Sequence, residues 1–186
     1  MQIDSIRNTS IVQNSMVHRN SEQADFRSIM NGNAETGSSH VVYLKKDDML
    51  YSGGNGTGLS FYLKYADDST EDNPRILAKG VDENGDEFEQ IIDVKKVNPG
   101  NATLPEMRAL EAYSGAPKRF GLSSLPMGTE NVGLNQRQDF IDAFKKNIAD
   151  MNTLGKYDIA QEYNKLMMLY INVFKEKNNS GTFHAF

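Results

Sequence analysis

The chain has 186 residues, 20 of them basic and 25 acidic, for a net charge of −5. At roughly 150 residues per domain, this length fits one domain with room for tails. There is no cysteine and there are only three histidines. Disulfides, thiolate zinc sites, Fe–S clusters and cysteine nucleophiles are therefore excluded, and the histidine count argues against a multi-histidine metal centre.

Residues 1–23 are rich in Ser, Asn, Gln and Ile. They lack the basic start and apolar core of a secretory signal. Such a segment buries too little apolar surface to offset its ordering entropy, so a disordered tail is expected. Its composition resembles the uncleaved N-termini of proteins passed through flagellar-type secretion. The expected location is cytoplasmic, and the alternative that this resemblance implies is leaderless export of the flagellar type. Asp25–Met30 suffices for one or two helical turns, and the Gly/Ser/Asn-rich residues 31–39 read as a linker. The expected division is a tail and linker over 1–39, one domain over 40–177 and a second tail over 178–186.

Strand patterns begin at residue 40. His40–Leu44 is β-branched and aromatic, and Met49–Ser52 reads as its return strand. The loop Gly53, Gly54, Asn55, Gly56, Thr57, Gly58 follows. Leu59–Ala66 alternates cleanly, with Leu59, Phe61, Leu63 and Tyr65 on one face. An acidic loop, Asp67–Asn73, is closed by Pro74.

Arg75–Asp82 and Asp86–Lys95 flank Asn84-Gly85, a pair favoured in two-residue type I′ hairpins. Such a loop would set Val81 opposite Phe88, Lys79 opposite Gln90 and Leu77 opposite Ile92.

Helices fill the rest. Thr103-Leu104-Pro105-Glu106 reads as a capping box, opening a helix from about Leu104 to Tyr113 that stops near Gly115. Leu104, Met107, Leu110 and Ala112 give it an imperfect apolar stripe. Gly115–Gly133 has no periodicity and is longer than most connections, so it is a candidate lid or binding loop, with Arg119 and Phe120 as contacts. Asn135 with Gln138 gives a second capping signal. Phe140, Phe144, Ile148 and Met151, then Ala160, Tyr163, Met167, Tyr170 and Phe174, define two amphipathic helices broken at Leu154-Gly155. Together they predict a helical hairpin.

Charge is uneven. Residues 41–102 hold twelve acidic and seven basic groups, and the Lys/Arg pairs along the chain (Lys45-Lys46, Lys95-Lys96, Lys118-Arg119, Lys145-Lys146) are short and scattered. No basic stripe marks a nucleic-acid surface. No apolar run approaches the roughly 20 residues of a membrane span.

Several constellations invite chemistry. The Gly53–Gly58 loop suggests a phosphate cradle, but that motif needs a helix N-terminus after it, and here a strand follows. Asp82, Asn84, Asp86 and Asp93 match calcium-loop positions 1, 3, 5 and 12, but Glu87 stands where the sharp turn wants glycine. Ser123 lacks the second glycine of a nucleophile elbow, and His18, His40 and His184 lie in or beside the expected tails. No catalytic residue, metal or cofactor is assigned on these grounds.

The segments Gly54–Tyr62, Val81–Gly85 and Asn101–Leu110 resemble pieces of a small family of uncharacterised bacterial proteins, over roughly residues 51–113. The resemblance implies bacterial origin and a shared small domain, without an activity.

Strands first and helices after predict an α+β fold: an antiparallel sheet of four or five strands, helices packed on one face and a C-terminal helical hairpin. The functional expectation is a non-enzymatic binding or structural accessory protein with a protein partner. The alternatives are a small hydrolase with a site under the 115–133 loop, and a cation- or carbohydrate-binding module.

Overall fold

The computed structural model describes residues 41–117 and 123–180, with side chains through Lys175. The expected N-terminal tail and linker, the loop residues Arg119 and Phe120, and residues 181–186 lie outside the described residues. Four strands form one antiparallel sheet in chain order: β1 (Tyr51–Gly54), β2 (Ser60–Tyr65), β3 (Arg75–Val81) and β4 (Glu87–Asp93). Among the described residues three α-helices follow: α1 (Leu104–Ser114), α2 (Phe140–Thr153) and α3 (Tyr157–Ser180). This is the expected α+β arrangement with four strands.

The alternation of β2 decides which face is covered. Leu59, Phe61 and Leu63 are fully buried, while Tyr62 and Lys64 point to the opposite face. Ile76, Ala78 and Ile92 extend the buried face across β3 and β4. Leu104, Met107 and Leu110 of α1 belong to the same core.

Two strand expectations are corrected. Residues 41–44 form no strand; Val42 and Leu44 are exposed, and Tyr43 packs edge-on against Tyr62 at 5.4 Å. A β-branched run needs a partner strand, and among the described residues this one has none. The return strand is Tyr51–Gly54 rather than Met49–Ser52, so Gly53 and Gly54 pair with Phe61 and Ser60.

The β3–β4 register is also shifted by one. Val81 pairs with Glu87, Gly80 with Phe88, Lys79 with Glu89 and Leu77 with Ile91. The loop holds three residues, Glu83 to Gly85. The Asp82 and Gly85 amides donate to the carbonyls of Asp86 and Asp82, and Gly85 sits at φ +87°. A turn closed by a positive-φ glycine is the three-residue hairpin with a bulge, not the two-residue type I′ loop. The Asp82 carboxylate accepts from the Asn84 and Asp86 amides at 2.8 and 2.9 Å, which favours the longer loop. The two-residue loop would set Leu77, Lys79 and Val81 on the face of Phe88 and Ile92; the extra residue sets Ile76, Ala78 and Gly80 there instead, while Val81 stays buried at 8% exposure.

The first helix starts as expected. Thr103 caps the Glu106 amide, and the Glu106 carboxylate returns to the Thr103 amide at 2.9 Å. Gly115, at φ +62°, ends it. For α2 the cap is Asp139, which accepts from the Asp142 amide at 2.8 Å, rather than Asn135. Gln138 is instead bridged to Ala102 through two backbone hydrogen bonds, tying the α2 entry to the α1 entry. The helical hairpin packs Phe144 against Tyr163 and Tyr170, with centroids at 6.1 and 5.9 Å. Helix α3 runs on to Ser180, three residues past the expected end.

Candidate functional site

The apolar stripe of α1 is interrupted by charge. Positions 104, 107, 108 and 111 lie on one helical face, and two of them are Arg108 and Glu111. Both are buried, at 7% and 6% exposure. Burial opposes the charge on Arg108, but Glu111, Tyr51 and Glu130 outweigh it and hold the guanidinium above its ordinary pKa.

The Arg108 guanidinium is shared among several acceptors. It donates to Glu111 at 2.7 Å, to Glu130 at 2.5 Å and to the Ser123 hydroxyl at 3.5 Å. Its carbon lies 5.1 Å from the centre of the Tyr51 ring, in the range of a cation–π contact. Ser123 donates to Glu130 at 3.1 Å, and the Ser124 hydroxyl donates to Glu111. Tyr170 donates to the Ser124 carbonyl at 3.1 Å. Arg108 Nε and the Tyr163 hydroxyl are buried without a hydrogen-bond partner. Burial raises the Tyr51 and Tyr163 pKa values, and raises that of Tyr170 strongly.

This network fastens the described part of the 115–133 loop. Ser124 and Leu125 are fully buried beneath it, and Thr129 is nearly so. The Met127 amide donates to Asn147 of α2 at 2.7 Å. Asn55 donates to the Val132 carbonyl at 2.7 Å, and Glu83 accepts from the Leu134 amide at 3.0 Å. Two hairpin tips thus clasp the end of the loop.

An open cleft of about 370 Å³ lies at the end of β2. It is lined by Tyr65, Ala66, Ser69, Thr70, Glu71, Pro74 and Tyr113. The β2–β3 loop that forms one wall is held by internal hydrogen bonds. Ser69 accepts from the Arg75 amide at 2.9 Å, and Thr70 from the Asn73 amide at 3.0 Å. Two cations among the described residues are engaged: Arg75 pairs with Asp68, and Lys95 donates to the Asp72 carbonyl at 2.9 Å.

The sequence-derived candidates do not converge. Gly53 to Gly58 turn one strand into the next, and the Asn55 carboxamide oxygen accepts from the Thr57 amide and hydroxyl at 3.0 and 2.7 Å. The calcium candidates Asp82, Asn84 and Asp86 form the hairpin loop. Asp93 lies at the far end of β4, roughly 20 Å away at about 3.3 Å per residue. Among the described residues no three acidic or histidine side chains are grouped to hold a metal, and no helix is long and apolar enough to cross a membrane.

Sequence reasoning missed Arg108, Glu111 and Glu130. The readable signal was the charged pair on the apolar face of α1. Glu130 sits in an aperiodic loop and carried no signal.

No family model matches the chain, and neither a curated protein nor a solved structure matches it.

Proposed function

We propose that the chain is a non-enzymatic binding or structural accessory protein, of the bacterial kind that residues 51–113 resemble. The reading is supported by the way the space under the described part of the 115–133 loop is used. A hydrolase of the alternative reading would keep a water-excluded pocket there, beside its polar groups. Leu125 and Ser124 occupy that space instead, and Arg108, Glu111 and Glu130 are engaged with one another. Ser123, the hydroxyl considered as a nucleophile, accepts from the Leu125 amide and donates to Glu130.

The test is a panel of chromogenic ester, phosphate and glycoside substrates offered to the full chain. No turnover above that of the Ser123→Ala variant is expected. Turnover that vanishes in Ser123→Ala, with an unchanged melting temperature, would overturn the reading.

A further inference from the structure

We infer that the cleft between the end of β2 and the C-terminus of α1 receives the cationic side chain, lysine or arginine, of a partner protein. The inference rests on the reading of the chain as a binding protein and names the chemistry of what it binds.

Size comes first. A volume of about 370 Å³ is at the small end of the roughly 300–1,000 Å³ usual for ligand sites. It suits one side chain rather than a large cofactor.

The lining then selects charge. Two of its seven residues are tyrosines: Tyr65 is half exposed at the rim, and Tyr113 belongs to the last turn of α1. Aromatic rings attract an ammonium or guanidinium that approaches their faces. Glu71 adds an acidic residue to the lining. Ser69 and Thr70 use their oxygens as acceptors for loop amides, which fixes the wall in place before any ligand arrives.

The helix supplies a further, independent term. The C-terminal end of a helix carries partial negative charge and favours a cation nearby. The last turn of α1 holds no basic side chain to supply one. Among the described residues, Arg75 and Lys95 are held by Asp68 and by the Asp72 carbonyl. Two tyrosines, an acidic residue and a helix C-terminus all favour the same kind of ligand. A neutral sugar would use the tyrosines and hydroxyls but gain little from the acidic residue and the helix end.

The probes are three pentapeptides, acetyl-Gly-Gly-X-Gly-Gly-amide, with X as Lys, Arg or Glu, together with N-acetylglucosamine. Each is titrated into the full-length ¹⁵N-labelled chain and followed by two-dimensional NMR. The Lys and Arg peptides should shift the amides of residues 65–71 and 113 saturably. The Glu peptide and the sugar should not. Glu71→Gln and Tyr65→Ala should each weaken binding about two- to fivefold, the size of one exposed cation–π or ionic contact. Raising the salt to about 0.5 M should weaken it further, because exposed charges are screened. The inference is overturned if neither cationic peptide saturates, if the Glu peptide binds equally, if only the sugar binds, or if Glu71→Gln leaves the affinity unchanged. None of these outcomes bears on turnover, so the proposal of a non-enzymatic protein stands or falls separately.

Discussion

Gly80 lies directly opposite Phe61, so close that a Cβ added to Gly80 would sit 2.1 Å from the Ser60 carbonyl oxygen and 2.6 Å from the Phe61 Cα. On its other side Gly80 pairs with Phe88, and the two phenyl rings meet at 6.3 Å. The glycine leaves room on the core face for both aromatics. The obstructing atoms are mainly backbone, so no rotamer change relieves them. Gly80→Ala should therefore destabilise by at least the about 1–3 kcal/mol typical of overpacking. A urea midpoint equal to that of the parent would disprove the crowding argument.

The β3–β4 loop makes a sharper prediction, because its two candidate geometries differ at one residue. A type I′ turn needs positive φ at both Asn84 and Gly85, whereas the observed three-residue loop needs it at Gly85. Asn84→Ala should stay within about 0.5 kcal/mol of the parent, as exposed substitutions usually do. Gly85→Val should cost about 1–3 kcal/mol, the strain of a residue forced into a sparse backbone region. Equal losses at both positions would restore the two-residue reading.

How much of this was legible follows from where each signal resides. The capping box at Thr103 and Glu106 is local, and it placed the start of α1 correctly. The alternation of Leu59, Phe61 and Leu63 identified the buried face of β2. Asn84-Gly85 located the hairpin but not its loop length, because the deciding contact is the Asp82 carboxylate on the Asp86 amide. That one residue inverted the reading of β3. Glu83 reaching Leu134 and Asn55 reaching Val132 span 51 and 77 residues of sequence, so no local pattern could show them. Tyr65 and Tyr113 likewise come together only through the fold.

Acid should weaken the hairpin through Asp82. Its carboxyl is held below the ordinary value of 3.8, first by the Asp86 amide, against the opposing effect of burial, and then by the Asn84 amide and carboxamide and the Gly85 amide. A depressed folded-state pKa gives stability that is present above the unfolded value and lost as pH falls through the folded one. Below about pH 4, the parent should therefore lose stability faster than Asp82→Asn. Parallel melting curves from pH 5 to pH 2 would count against this role.

Two buried tyrosines should behave oppositely. Tyr170 donates to the Ser124 carbonyl, while the Tyr163 hydroxyl is buried without a partner. Tyr170→Phe should cost about 0.5–1.5 kcal/mol, the net worth of a hydrogen bond, and Tyr163→Phe should be neutral or stabilising. Burial raises both phenol pKa values, so the folded chain keeps protons that the unfolded chain releases. Stability should fall as pH rises beyond about 10, the unfolded tyrosine value. Each Phe variant should show a shallower alkaline decline. Thermal melts between pH 8 and 11 would check both the sign and the order.

The Arg108 network predicts the largest single loss. Arg108→Met keeps a long side chain on α1 but leaves Glu111 buried without its cation, and releases Glu130 and Ser123 of the loop. Removing one partner of a buried ion pair typically costs about 3–5 kcal/mol. Replacing both charges is less damaging, because no uncompensated ion remains. Arg108→Met/Glu111→Leu should therefore recover part of the loss, although the Ser124 hydroxyl is then left without its acceptor. The single variant should also be cut faster by protease within residues 123–130, since the guanidinium joins that segment to the helix. Denaturant midpoints for the two singles and the double, with the cleavage sites mapped by mass spectrometry, form the test. A single variant as stable as the parent would show that aromatic packing around Tyr51 and Tyr170 holds the loop without the charge.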